Sequence, residues 1–381
     1  MQSPAYYEYL GRPKMISGKR ALEQIPAELE GYGASRPLVM VEGATPGVGA
    51  AITKAMYDSN LVIGALFDGH VAGSTSGIVR ELARLHAARK CDSIVVAGGG
   101  PLVDAAKCVN IELTQKKAAI QFSGENKIPK ELGPFVLVPV ALVSGYEASR
   151  YAFIDGKMCG SDFLSPDMVI IDSRASSKAA PAQTLSSGLI ALAHAIEAIL
   201  SPQANPIMGS YAYAAIRLLS ENLPAAVRKP KDGKKSVAVA NGCAIAATAF
   251  SNAPAGVVHC LAEALSDATG VDPGVYMGIL VRSLVRKRME DKAGLGDELC
   301  LALSGPAVYS VSEAKRRPEA ALQSLNSVFG ELGNAVPADL AATGTPEGQL
   351  GPAAKNAVKA SSAKLSEKEC MDLLERAWGG K

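Results

Sequence analysis

Histidine is the scarcest side chain here that can ligate a metal or move a proton: the 381 residues hold four, at positions 70, 86, 194 and 259. His194 lies in "SSGLIALAHAIEAIL", residues 186–200, a run apolar almost everywhere except at that histidine and one glutamate. A histidine on an apolar helix is either a core residue with one hydrogen bond or a ligand. His259 and Glu263, in "VVHCLAEAL", stand four apart, a spacing that places both on one helix face. Together with His194 they make three potential zinc ligands, and three protein ligands plus water is a catalytic arrangement. A second chemical signal is "DSIVVAGGGPLVDAAKCVN", with three glycines ending a strand and a helix directly after them. Such a junction leaves backbone N–H groups free at a positive helix end, which suits a pyrophosphate. A plain strand-to-helix turn would read the same way. Seven cysteines, at 91, 108, 159, 243, 260, 300 and 370, form no CxxC pair and are expected as reduced, mostly buried thiols.

The elements that must position these residues are legible in the hydrophobic pattern. "PLVMVEG", "LVIGALFDG", "DSIVVAGGG", "PFVLVPV" and "DMVIID" read as buried strands alternating with helices, which implies a doubly wound parallel sheet. Beyond "SSKAAPAQ" the strand signal fades into Ala-rich helical stretches. The expected fold is therefore an α/β, Rossmann-like N-terminal domain over residues 1–178 and an all-helical C-terminal domain over 179–381. The Lys-rich "RKPKDGKK" at 228–235 reads as a solvated turn between two helices, and residues 336–364, poor in bulky apolar side chains, as a loosely packed surface excursion. A net charge of +2 with 20% charged residues offers no field for nucleic acid or an acidic membrane. The first twenty residues show no apolar stretch of signal-peptide length, and no run reaches the roughly 20 uninterrupted apolar residues of a membrane span, so a soluble, cytoplasmic protein is expected.

Several stretches resemble, in order, the motifs of the iron-containing (group III) alcohol dehydrogenases, within the dehydroquinate synthase-like superfamily. "GGGPLVDAAK" resembles GGGSxxDxAK, "PFVLVPVALVSGYEAS" resembles PLIAIPTTAGTGSEVT, and "FSNAPAGVVHCLAEAL" resembles FSNAxLGxVHAxAHxLG. "SPDMVIID" is similar to the strand that precedes the helical domain, and "NAVKASSAKLSEKECMDLLERAW" to the closing helix. The resemblance implies an N-terminal domain that binds NAD(P), a helical domain that carries iron or zinc, an active site in the cleft between them, and a homodimer. It places Gly98, Gly99, Gly100 and Asp104 in the pyrophosphate motif and Ser144 and Gly145 in the second cofactor-contacting stretch. Glu42 ends a strand where an acidic residue usually meets the adenosine ribose, an arrangement that favours NAD.

Departures from the family pattern fall on both motifs. Pro101 stands in place of a serine and removes an N–H donor and a hydroxyl, worth roughly 1.5–3 kcal/mol where the partner is charged. Val140 and Ala141 replace two threonines, and Val143 replaces a glycine, so dinucleotide binding is expected to be weak. Of the family's four metal ligands, His194 and His259 are retained; Ile190 replaces the aspartate, and Pro273 and Gly274 stand where the last histidine belongs. Glu263 takes the place of the second helix histidine, which in the family lies beside the nicotinamide, so it is either a proton carrier or a solvated helix carboxylate. Iron or zinc is accordingly expected to be absent or weakly held. By descent the chain is an NAD(P)-dependent alcohol/aldehyde oxidoreductase with impaired metal-assisted hydride transfer, for which His259, Glu263 and Tyr146 are the candidate substitutes. The alternative is a non-catalytic ligand-sensing or assembly protein that keeps the fold.

Overall fold

The computed structural model describes residues 4–43, 45–141, 145–253, 255–291, 295–361 and 364–379. Two compact units emerge, one of Leu10–Ala180 with Pro230–Ala244, the other of Met1–Tyr9, Pro181–Lys229 and Ile245–Lys381.

The first unit runs β1 (Lys14–Ser17), α1 (Ile25–Gly31), β2 (Pro37–Glu42), α2 (Pro46–Asp58), β3 (Ala65–Gly69), α3 (Ser76–Ala88), β4 (Ser93–Gly98), α4 (Pro101–Gln115), β5 (Gly124–Glu125), β6 (Phe135–Pro139), β7 (Tyr151–Ile154), β8 (Lys157–Gly160), β9 (Met168–Ile171) and α5 (Ser173–Ser176). Six strands form a parallel sheet in the order β1-β9-β6-β4-β2-β3. The five runs expected as strands are all in it. β4 and β6 are buried along their whole length, as central strands covered on both faces must be. One layer of core packs Leu22, Ile25 and Ile52 against Val39, Val95 and Val136. After β3 the chain returns past β2 to place β4 on its other side, so the order switches between β2 and β4. Ligands of open α/β sheets bind outside the carboxyl ends of strands at such a switch. Glu42 and Gly98 are the last residues of those two strands. A small second sheet, β5-β8-β7, carries a hairpin whose turn residues Asp155 and Gly156 have φ of 48° and 71°, the left-handed pair a two-residue turn requires.

The other unit is helical: α6 (Pro181–Leu200), α7 (Pro206–Arg228), the end of α8 (Gly233–Phe250), α9 (Val257–Thr269), α10 (Pro273–Glu290), α11 (Asp297–Val311), α12 (Arg317–Leu332), α13 (Leu350–Ala360) and α14 (Glu367–Trp378). An α/β unit on a parallel sheet followed by a helical region is the fold class the sequence implied. By length and composition α6 could cross a membrane, but 83% of its apolar window is buried within the protein, which marks the core helix of a folded unit. Residues 336–364 depart from expectation. Instead of a loose excursion the described residues of this run form 3-10 turns and α13, with Leu340, Leu350, Ala353, Ala354 and Ala357 buried. Alanines at 353, 354 and 357 share one helix face and let α13 lie close to α9, so the segment needs no bulky side chains to pack.

Candidate functional site

At the sheet's switch point β4 delivers the glycine turn. A Cβ on Gly98 would meet Leu102 Cδ2 at 2.9 Å and Glu42 Cβ at 3.4 Å. Gly100 has φ 52° and ψ −131°, a conformation that side chains rarely adopt. Pro101 then opens α4 at its first position, where a missing N–H costs the helix nothing. The Gly100 N–H donates to Glu147 Oε1 at 2.6 Å, so one donor of the turn is satisfied from within the protein. Glu42 Oε1 lies 2.9 Å from Nδ1 of the exposed His70.

Beneath the turn is a buried charged cluster. Lys107 is 1% exposed, and its Nζ donates to the carbonyls of Tyr146, Ser149 and Tyr151 at 3.0, 2.8 and 2.7 Å. Burial lowers the Lys107 ammonium and raises the Asp104 carboxyl, and each opposes the other's shift by its charge. Lys107, one turn after Asp104 on α4, thus ties the segment that follows Gly145 to the helix. Tyr146 is buried, its ring 5.0 Å from Phe153 and 6.0 Å, edge-on, from Tyr151. Ser144 and Val143 lie outside the described residues.

In the helical unit, α6 and α9 bring His194 and His259 together. His194 Nε2 is 2.9 Å from His259 Nδ1, and the His194 ring stacks on Phe250 with centroids 4.1 Å apart and planes 17° from parallel. Both imidazoles are almost wholly buried. Burial lowers His259 to about 4, and burial with the charge of His259 takes His194 well below the ordinary range, so both rings are neutral near pH 7. In a neutral pair one ring donates and the other accepts. Ile190 sits one turn before His194, fully buried, where an aspartate would have put a charge.

Two further residues fix this arrangement. Glu197, one turn after His194, accepts from the N–H groups of Val258 at 2.7 Å and His259 at 3.2 Å, holding the first turn of α9. Burial raises its carboxyl to about 7 against the pull of those bonds. Sequence reasoning gave it no role, although it is the only acid in an apolar helix. Gly274, in the first turn of α10, packs on α6: a Cβ there would lie 2.6 Å from Ser186 Oγ and 2.7 Å from Ser186 Cα and O. Asp272 seals the contact, its Oδ1 accepting from Gly274 N at 2.8 Å and from Ser186 Oγ at 2.6 Å. A ligating side chain has no room at position 274.

Among the described residues no three His, Cys, Asp or Glu side chains converge as a metal cage requires. Glu263 thus does not join the two imidazoles. Its half-buried carboxyl is raised to about 7 by burial and then by Asp267 and Asp272. Two neutral imidazoles bonded to each other, beside an isoleucine, do not fit a divalent ion.

Two family models cover the chain: "Iron-containing alcohol dehydrogenase" over residues 13–173 and "Fe-containing alcohol dehydrogenase family, C-terminal" over 184–378. The NAD-dependent methanol dehydrogenase of Bacillus methanolicus is 26% identical over 358 residues, 91% of each chain. Among solved structures, alcohol dehydrogenase from Oenococcus oeni superposes with a TM-score of 0.86 at 18% identity, covering 98% of this chain and 100% of that one. Sulfoacetaldehyde reductase from Bifidobacterium kashiwanohense, in complex with NAD+, gives 0.83 at 17% identity, with 99% and 100% covered.

Proposed function

The chain belongs to the iron-containing alcohol dehydrogenase family, and on that premise we propose that it descends from an NAD(P)-dependent alcohol/aldehyde oxidoreductase and that its metal-assisted hydride transfer is impaired. The observation that carries this reading is the 2.9 Å bond between His194 and His259 beside buried Ile190. A metal acts in such reactions as the Lewis acid that polarises the carbonyl or acidifies the alcohol, and a site that binds no metal forgoes several kcal/mol of that stabilisation.

Dinucleotide binding is the property we expect to survive in weakened form. In favour stand the glycine turn at the sheet switch and the Glu42 carboxyl at the end of β2; against stand Pro101, Val140 and Ala141. Tyr146 packs inside an aromatic cluster, which favours a structural part for it over proton transfer. We read the protein as cytoplasmic and homodimeric, with a small alcohol or aldehyde as substrate if turnover persists, and with neither nucleic acid nor membrane as partner. A second reading, a non-catalytic ligand-sensing or assembly protein, draws on the same eroded donor set together with the Gly100 N–H already taken by Glu147.

Titration with NADH, followed by elemental analysis of the purified protein, tests the proposal. Binding weaker than micromolar with no stoichiometric iron or zinc is expected. A micromolar or tighter dissociation constant, or one equivalent of metal with turnover of an alcohol, would restore the ordinary dehydrogenase reading.

A further inference from the structure

Where α6 ends and α9 begins, the helical unit holds a cavity of about 340 Å³ that contains none of the residues of the imidazole pair. Its size falls in the lower part of the range for small-ligand sites. Leu200, Val257, Leu284, Leu365 and Leu373 supply apolar walls. The charged lining groups divide into two kinds. Lys287 is balanced by Asp291 at 3.5 Å and Asp372 at 3.2 Å. Glu369 is committed to the cap of α14, accepting from Ser366 N at 3.1 Å and Ser366 Oγ at 2.6 Å, and Glu197 is committed to the amides of α9. Arg288 and Lys364 are left: neither forms an ion pair among the described residues, and Arg288 acts on Glu369 only through its charge at longer range. Acids that already have partners, beside two uncommitted cations, make the lining selective for negative charge.

We propose that this cavity binds a medium-chain carboxylate, its hydrocarbon chain on the leucine walls and its head group at Arg288 and Lys364. The guanidinium fork of Arg288 matches a planar carboxylate in two parallel bonds, and Lys364 adds a point charge. Each buried methylene tightens binding roughly fourfold, so chain length sets affinity while the cations set the choice of head group. The inference is independent of the oxidoreductase reading, since the cavity lies wholly within the helical unit.

Calorimetric titration of the full chain with octanoate, octanol, octyl phosphate and acetate tests it. Octanoate should saturate one site, with octanol at least about tenfold weaker and acetate without saturation. The double variant Arg288→Gln, Lys364→Gln should weaken octanoate about tenfold or more and leave octanol unchanged, because the two head-group charges are removed and the apolar walls stay. Leu365→Trp, which fills the cavity from a loop position, should abolish both. Absence of saturable octanoate binding, equal affinity for octanol, or an unchanged double variant would overturn the site. Tighter binding of octyl phosphate than of octanoate would overturn the carboxylate assignment.

Discussion

Replacing Ile190 by aspartate puts a charge one turn before His194, where the apolar side chain best explains the state of the imidazole pair. Ile190 is fully buried and stands four residues before His194, on the same face of α6. Shortening a buried isoleucine leaves a cavity worth about 2–4 kcal/mol, and a carboxylate without a partner in an apolar core adds several more. Without metal the Ile190→Asp protein should therefore lose about 4–7 kcal/mol, a large part of the roughly 5–15 kcal/mol that holds a typical domain. Zinc would then find three protein ligands, one of them anionic, in place of two neutral ones. At a free concentration a hundredfold above its dissociation constant it returns about 2.7 kcal/mol, which for a domain of this size is about 5–10 °C in Tm. The assay is thermal melting followed by circular dichroism, with EDTA and with zinc, on the parent and the variant. A large zinc-dependent rise is expected in the variant alone. If the variant melts with the parent in EDTA, or zinc moves both equally, then position 190 does not face the imidazole pair and the reasoning fails.

Three other perturbations follow from the same geometry. Gly274→Ala should cost about 1–3 kcal/mol in urea unfolding, because the new Cβ meets Ser186 backbone atoms at 2.7 Å; a loss under about 0.5 kcal/mol would mean that α6 and α10 are not in contact there. Glu147→Ala strands the buried Gly100 N–H and should cost about 1–3 kcal/mol, whereas Glu147→Gln, which keeps an acceptor oxygen, should cost less; equal losses would refute the bond's role. The third concerns pH. His259 is depressed to about 4 in the folded protein from 6.5, so the unfolded chain binds the extra proton between those values. Its contribution is fully present above pH 6.5 and is lost toward pH 4, at up to about 1.4 kcal/mol per pH unit. Glu197 and Glu263, raised to about 7, act oppositely, stabilising at low pH and losing that contribution as pH rises to 7. The slope of unfolding free energy against pH from 4.5 to 6 should therefore be smaller in His259→Gln than in the parent; an equal slope would show that this ring titrates freely.

What the sequence revealed and what it hid separate along a physical line. β2, β4, β6 and β9 are legible because strands buried on both faces read as near-continuous apolar runs rich in Val, Ile and Leu. β1, four residues at the sheet edge, and the β7–β8 hairpin carry no comparable local pattern. α13 misleads because its packing depends on smallness, which resembles a loop in composition. The helix-junction glycines and the two histidines are visible as residue types, yet the groups that hold them are not. Glu197 matters through amides 61 and 62 residues away, and Glu147 through an amide 47 residues away, so neither pairing leaves a local trace.

The same logic accounts for how two buried histidines are held beside an isoleucine. A lone neutral imidazole in an apolar core strands a donor or an acceptor, at about 1–3 kcal/mol. Two that bond to each other at 2.9 Å each satisfy one nitrogen of the other, and the stacked Phe250 ring adds packing that a smaller residue would forfeit. Isoleucine at 190 completes a site that holds together by burial, where a carboxylate would have needed a cation. Removing either histidine alone would thus cost more than its own contacts, because the other would lose its 2.9 Å partner. Conservation of chemistry is therefore unnecessary to keep the pair. Its mutual bond gives the pair a structural part, and the Ile190→Asp experiment is the one that separates a structural pair from a weakened metal site.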